Sequence, residues 1–278
     1  MKKKVIIREV SPRDGLQIEE TISSTNKIHF IEKLTAAGLK HIEVTSFSNP
    51  TRIPQFADAE IVVKRLKAKE GVYYYSLVPN LSAKLRAVDN VKAISLIVTA
   101  EEEFNLKNLN LSIDESMNGI KKIVALAKEK EIFCSGYIAM SFKTSVLQEV
   151  KRLVDFYLNQ SVEEICFADT EGIAGKQEVA FLIEEIRKIT DLKNVSMHFH
   201  NGKNQGMDNV QMALSMGVNK FDSSCVGLGG CPFLPIAFGN VSTEDLVEFC
   251  NNNNIETGID LSKLREASTF IMEKLQIE

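Results

Sequence analysis

Val5-Ile6-Ile7-Arg8-Glu9-Val10-Ser11-Pro12-Arg13-Asp14-Gly15-Leu16-Gln17 is the stretch whose reading decides the fold. Residues 5–8 form a short β-rich run, and an open, doubly wound nucleotide-binding sheet would follow such a first strand with a Gly-x-Gly-x-x-Gly turn. Here the turn carries Arg13 and Asp14 around one glycine, Gly15. The open sheet is therefore disfavoured, and the rest of the chain has to be arranged another way.

Working outward, further short runs rich in β-formers recur at 41–46, 72–78, 93–99, 133–139, 164–168, 195–200 and 220–224. Between and after them lie segments of helical period near 25–37, 56–69, 81–88, 113–130, 145–159, 176–189, 205–216, 243–252 and 260–275. Ser112 ahead of Asp114-Glu115, and Ser242 ahead of Glu244-Asp245, are helix start signals, because a hydroxyl oxygen can accept from free first-turn amides. The asparagines at 251–254 read as a helix stop. Strict alternation of strand and helix implies parallel strands with crossover helices. Eight such units predict an α/β fold, a single (β/α)8 TIM barrel spanning 1–278 with a C-terminal helical extension.

Composition agrees. The chain has 278 residues, 44% of them hydrophobic, enough for one large core. A net charge of −4 gives no footprint for nucleic acid. No apolar stretch approaches the ~18 residues that suggest a membrane span, and no signal-like segment precedes the first strand, so a cytoplasmic protein is expected. The five cysteines include no C-x-x-C pair, which argues for reduced thiols. Cys134, Cys166, Cys225 and Cys250 read as packing residues.

Catalytic groups of a barrel gather at the C-terminal ends of its strands, and the polar oddities of this sequence fall there. His198 and His200, at i and i+2 on a strand, project to one side. With Asp14 and Asn240 they would supply two nitrogens and two oxygens to a divalent ion in an open site, Mg²⁺ or Mn²⁺ by donor type, with zinc or iron as alternatives. Arg13 is placed to stabilise an enolate oxygen, or to pair with a rim carboxylate such as Glu43 or Asp169. Cys231, in Gly227-Leu228-Gly229-Gly230-Cys231-Pro232, sits on a loop able to close over a ligand; it would need a nearby cation to act as a thiolate near neutrality.

These stretches, together with Ile42-Glu43-Val44-Thr45-Ser46-Phe47, Asp169-Thr170, Asp222-Ser223-Ser224 and Gly239-Asn240, resemble the 3-hydroxy-3-methylglutaryl-CoA lyase family of the DRE-TIM metallolyase superfamily. The likeness extends over nearly the whole chain and implies one HMGL-like, pyruvate carboxyltransferase-like catalytic domain. It implies retro-Claisen cleavage of 3-hydroxy-3-methylglutaryl-CoA to acetyl-CoA and acetoacetate. The metal ligands would be Asp14, His198, His200 and Asn240. Arg13 would act on the substrate carbonyl, His198 and Cys231 in proton transfer, and Asp169 and Glu43 in positioning. An acyl-CoA or hydroxy acid is the expected small-molecule partner, and a homodimer is open, since barrel enzymes often dimerise.

Four local departures surround the substrate opening: Asn201-Gly202-Lys203-Asn204 after the histidines, a shortened 139–144 loop, Glu171, and Phe233-Leu234-Pro235-Ile236 after the cysteine. Two alternatives follow: a related aldol or Claisen-type lyase with a different substrate, and a barrel without turnover that binds or regulates.

Overall fold

The structure, a computed structural model, describes residues 3–83 and 91–277. Eight parallel strands close into a barrel in sequence order: β1 Ile6–Glu9, β2 His41–Ser46, β3 Tyr73–Leu77, β4 Ala93–Thr99, β5 Phe133–Ala139, β6 Glu164–Asp169, β7 Val195–Phe199 and β8 Lys220–Ser223. Closure runs through β1 and β8, whose register pairs Ile6 with Lys220 and Glu9 with Ser223. The expected strands are all present, with bounds shifted by a residue or so. β2 carries an irregularity between Glu43 and Thr45.

The helices are α1 Ser24–Ala36, α2 Ala59–Arg65, α3 Glu102–Leu109, α4 Ile113–Glu129, α5 Leu147–Asn159, α6 Lys176–Ile186, α7 Gly206–Ser215, α8 Thr243–Asn252 and α9 Leu261–Leu275. The helix expected near 81–88 falls mostly outside the described residues. α3 was not expected: its sequence, Glu-Glu-Phe-Asn-Leu-Lys-Asn-Leu, has little apolar periodicity, and only Phe104 and Asn105 are buried. Local polar contacts hold it instead, with the Asn105 carboxamide bonded to Thr99, Leu111 and Ser116. Ser112 caps α4 in a reciprocal capping box with Glu115, and Ser242 caps α8. α9, the extension beyond the eighth unit, packs on α1.

Most of the large apolar strand residues face outward, while Leu77 and Ile97 line the cleft at the barrel mouth. Ile42, Val44, Ile94, Leu96, Ile138, Phe167, Met197 and Phe221 are buried and join the helix faces in one continuous core. Alternate residues face the barrel axis, and there the strands are polar: Arg8, Ser135, Tyr137, Glu164, Ser196, His198 and Asp222 bond to one another. Barrel interiors are more often filled by bulky branched side chains. Gly136 shows how tightly strand and helix meet, since a Cβ there would lie 2.6 Å from the Tyr157 ring. Tyr157 in turn donates to the Tyr137 carbonyl at 3.1 Å.

Candidate metal and substrate site

A tight helical turn, Ser11–Gly15, follows β1 and buries both Arg13 and Asp14 at the C-terminal mouth of the barrel. His198 stands on β7 and His200 just beyond it, where a bridge to Asn240 fixes the backbone of both. One ligand atom each from Asp14, His198 and His200 lies within 4.8 Å of the others. The two imidazole Nε2 atoms are 3.2 Å apart.

The outer ring nitrogens explain why this arrangement suits a cation. His200 Nδ1 lies 2.8 Å from the Phe238 carbonyl, and His198 Nδ1 lies 3.1 Å from Asp222 Oδ2. A carbonyl and a carboxylate can only accept, so both Nδ1 atoms carry a proton and both Nε2 atoms face one place, where each can present a lone pair to a cation. Such fixing of the tautomer by an outer partner is the usual support of a metal-bound histidine. Two converging lone pairs beside a carboxylate fit a divalent metal.

Asp14 is ready for that role. Although burial opposes ionisation, the Arg13 charge, with His198 beside it, holds its carboxyl down at about 2. Burial, reinforced by His198, pushes His200 down to about 4, which keeps it neutral. For His198 burial acts the same way, but the Asp222 contact and the Asp14 charge outweigh it and raise the group. Gly229 has φ +121°, and a Cβ there would lie 2.8 Å from Asp14 Oδ2, so the loop backbone closes over the carboxylate only because the residue is glycine. Asn240 is in place but presents its amide nitrogen, which donates to Asp14 Oδ2 and to the Leu228 carbonyl, both at 2.8 Å. Ligation through its oxygen requires the carboxamide to turn over.

Arg13 makes the expected pair with a rim carboxylate, Glu43. Its Nε donates to Glu43 Oε2 at 2.5 Å and its Nη1 to Asp14 Oδ1 at 2.6 Å, which engages two of five donors while the residue still lines the cleft. Glu43 is fully buried, and its Oε1 has no hydrogen-bond partner among the described residues. The cleft continues outward past Tyr137, Thr170 and Cys231 to Arg52 and Phe233, whose ring lies 4.6 Å from the Arg52 guanidinium.

Cys231 and Asp169 sit in different surroundings. Cys231 lines the cleft, but burial pushes its thiol up to about 11, and Arg13 does not offset this. The residue is a neutral thiol suited to giving a proton, rather than a thiolate. Asp169 does not line the cleft: its carboxylate accepts from the amides of Ile173 and Ala174 at 3.1 and 3.0 Å and shapes the loop after β6. Burial raises that carboxyl to about 6.

Sequence reasoning missed three contributors. Asp222 orients His198, Tyr137 donates to Asp222 and lines the cleft, and Gln17 ties Asp14 Oδ1 to the Gly230 carbonyl at 2.9 and 3.0 Å. A charged residue in the middle of Phe221-Asp222-Ser223 was the available signal for the first. Two of the departures explain each other, since Lys143 of the shortened loop pairs with Glu171 at 2.6 Å and with Glu101 at 2.8 Å. Lys203 is exposed, with φ +53°, and does not line the cleft.

Comparison with known proteins places this site in context. The HMGL-like family model matches residues 4–271. A hydroxymethylglutaryl-CoA lyase of Bacillus subtilis is 35% identical over 98% of this chain and 94% of its own length. A cytoplasmic 3-hydroxy-3-methylglutaryl-CoA lyase of Homo sapiens is 38% identical over 96% of this chain and 74% of its own length. Among solved structures, an HMG-CoA lyase of Acinetobacter baumannii in complex with coenzyme A and 3-methylmalate superposes with a TM-score of 0.94 at 35% identity, covering 99% of this chain and 92% of that one. The carboxyl transferase domain of Rhizobium etli pyruvate carboxylase shares the fold at 14% identity, with a TM-score of 0.75, covering 99% of this chain and 47% of that one.

Proposed function

Because the chain belongs to the HMGL-like family, we propose that it cleaves 3-hydroxy-3-methylglutaryl-CoA to acetyl-CoA and acetoacetate, using a divalent cation held by Asp14, His198 and His200 with Asn240 beside them. The observation that carries this reading is the convergence of two fixed Nε2 lone pairs and an ionised carboxylate at the closed end of a cleft that also holds Arg13 and Cys231. The mixed nitrogen and oxygen donors of an open site favour Mg²⁺ or Mn²⁺. The reading takes residues 1–278 as one catalytic unit of a cytoplasmic protein and leaves a homodimer open.

A bound cation would acidify the tertiary hydroxyl of the substrate and orient hydroxyl and carbonyl together. The chain's own residues do the remainder. The hydroxyl proton leaves, the bond between the carbinol carbon and the thioester's α-carbon breaks, and the electron pair passes to the thioester as an enolate. Arg13, held by Glu43, keeps a fixed positive charge in the cleft where that enolate oxygen develops. Asp222 on the Nδ1 side orients the Nε2 of His198 toward the reacting hydroxyl, where it takes the departing proton when it is not committed to the cation. Cys231, neutral in its buried loop, gives a proton to the enolate carbon and completes acetyl-CoA.

The test is direct. Protein loaded with Mg²⁺ or Mn²⁺ and mixed with 3-hydroxy-3-methylglutaryl-CoA should release acetoacetate and acetyl-CoA in equal amounts, and chelation should stop it. No acetoacetate under those conditions, from protein that binds the metal, moves the assignment to a related aldol or Claisen-type substrate.

A further inference from the structure

Beneath the candidate metal site the barrel axis is occupied by charge. Arg8, on β1, is 4% exposed, and its guanidinium lies 4.6 Å from the Tyr75 ring centre and 5.5 Å from that of Tyr137. Nη1 donates to Ser135 Oγ and to Tyr137 Oη, both at 3.0 Å, and Nη2 donates to Glu164. Glu164 is held in turn by Ser196 Oγ at 3.0 Å and Lys220 Nζ at 2.9 Å. On the other side Arg8 Nε faces Asp222 Oδ1 at 3.6 Å, while Tyr137 donates its hydroxyl proton to Asp222 Oδ2. Asp222 is the carboxylate that fixes His198. Charges therefore alternate along the axis, Lys220, Glu164, Arg8, Asp222, ending at the His198 ring.

We propose that Arg8 is a positioning residue for the metal site: it sets Asp222, directly and through Tyr137, and Asp222 sets the imidazole of His198. The inference rests on the reading of Asp14, His198 and His200 as a metal site. A purely structural role is the competing account, and physical chemistry separates the two. Replacing a buried ion pair by apolar or neutral groups of similar size is often neutral or stabilising, so a structural role predicts little consequence when both charges go together. Loss of the outer support of a metal-bound histidine typically costs 10–100-fold in metal affinity. Arg8 acts through one more contact than Asp222 does, so about tenfold, the low end of that range, is expected.

The probe is Mn²⁺ alone, titrated into the full-length metal-free protein and followed by the loss of free-ion electron paramagnetic resonance signal. Circular dichroism and the melting temperature of each metal-free variant are recorded beside it. The variant that removes one charge of each sign and keeps the net charge of the interior, Arg8→Met with Glu164→Gln, should remain folded and bind Mn²⁺ about tenfold more weakly than the original chain. Arg8→Lys keeps the charge but lacks the fork that reaches Ser135, Tyr137 and Glu164 together. It should lose about threefold, and it decides the matter if the double variant does not fold. Mn²⁺ affinity within twofold of the original chain, in whichever of these variants folds, overturns the proposal. If the original chain itself fails to bind Mn²⁺, the metal-site reading fails first, and the two failures are told apart.

Discussion

The two ends of the barrel axis hold similar residue types and treat them oppositely. Toward the N-terminal end Arg8, Glu164, Lys220 and Asp222 pair among themselves, so each charge already has its counter-charge. At the C-terminal mouth the Nε2 atoms of His198 and His200 face each other beside Asp14, so that donor atoms of three residues converge. Buried polar groups are ordinarily paired. The contrast teaches that the diagnostic of a site is convergence of ligand atoms on one point, rather than polarity itself.

Disabling the mouth should have the largest effect. Asp14→Asn, or His198→Asn, should lower turnover by orders of magnitude and abolish tight Mn²⁺ binding, with circular dichroism unchanged; near-normal rates would erase the distinction between the two ends. Next comes Cys231→Ser, which should slow turnover roughly 100-fold, the scale of a lost general acid. Mn²⁺ affinity should stay within about threefold, because the thiol is not among the converging ligand atoms. An equal loss of both would place sulfur on the metal.

Asp169 probes the border between site and scaffold. Its carboxyl sits at about 6 in the fold against an ordinary value of 3.8, so between those pH values the folded chain holds a proton that the unfolded chain has released. Stability contributed by the protonated group is complete below about 4 and fades as pH rises through 6. Relative to Asp169→Asn, the original chain should lose up to about 3 kcal/mol across that window, at 1.36 kcal/mol per pKa unit. A flat difference in urea midpoints from pH 4 to 6.5 would mean that the carboxyl is ionised throughout. The smallest effect belongs to a control far from both ends: Ser112→Ala removes the cap of α4 and should cost about 1 kcal/mol without altering turnover.

Much of this was legible in the sequence, for identifiable reasons. The alternation of β-rich runs and helical segments reports the parallel barrel because backbone pairing leaves that order few other solutions. Asp14, His198, His200, Asn240 and Cys231 could be picked out because each lies in a loop or strand end where its residue type is unusual. The interior was less readable. Arg8 and Asp222 look like interruptions in apolar strands, and nothing local says that they meet across the axis. Asp169 stands in a motif beside the site, yet its bonds to the Ile173 and Ala174 amides are made by the fold of its own loop. α3 escaped notice because one buried asparagine, rather than an apolar stripe, secures it.

The account depends most on two imidazole nitrogens meeting one cation at the barrel mouth. Electron spin-echo envelope modulation of the Mn²⁺-loaded protein measures this directly. Modulation from two directly bound histidine nitrogens, reduced to one in His200→Gln, is the predicted result. A Mn²⁺ signal with no nitrogen modulation would contradict it.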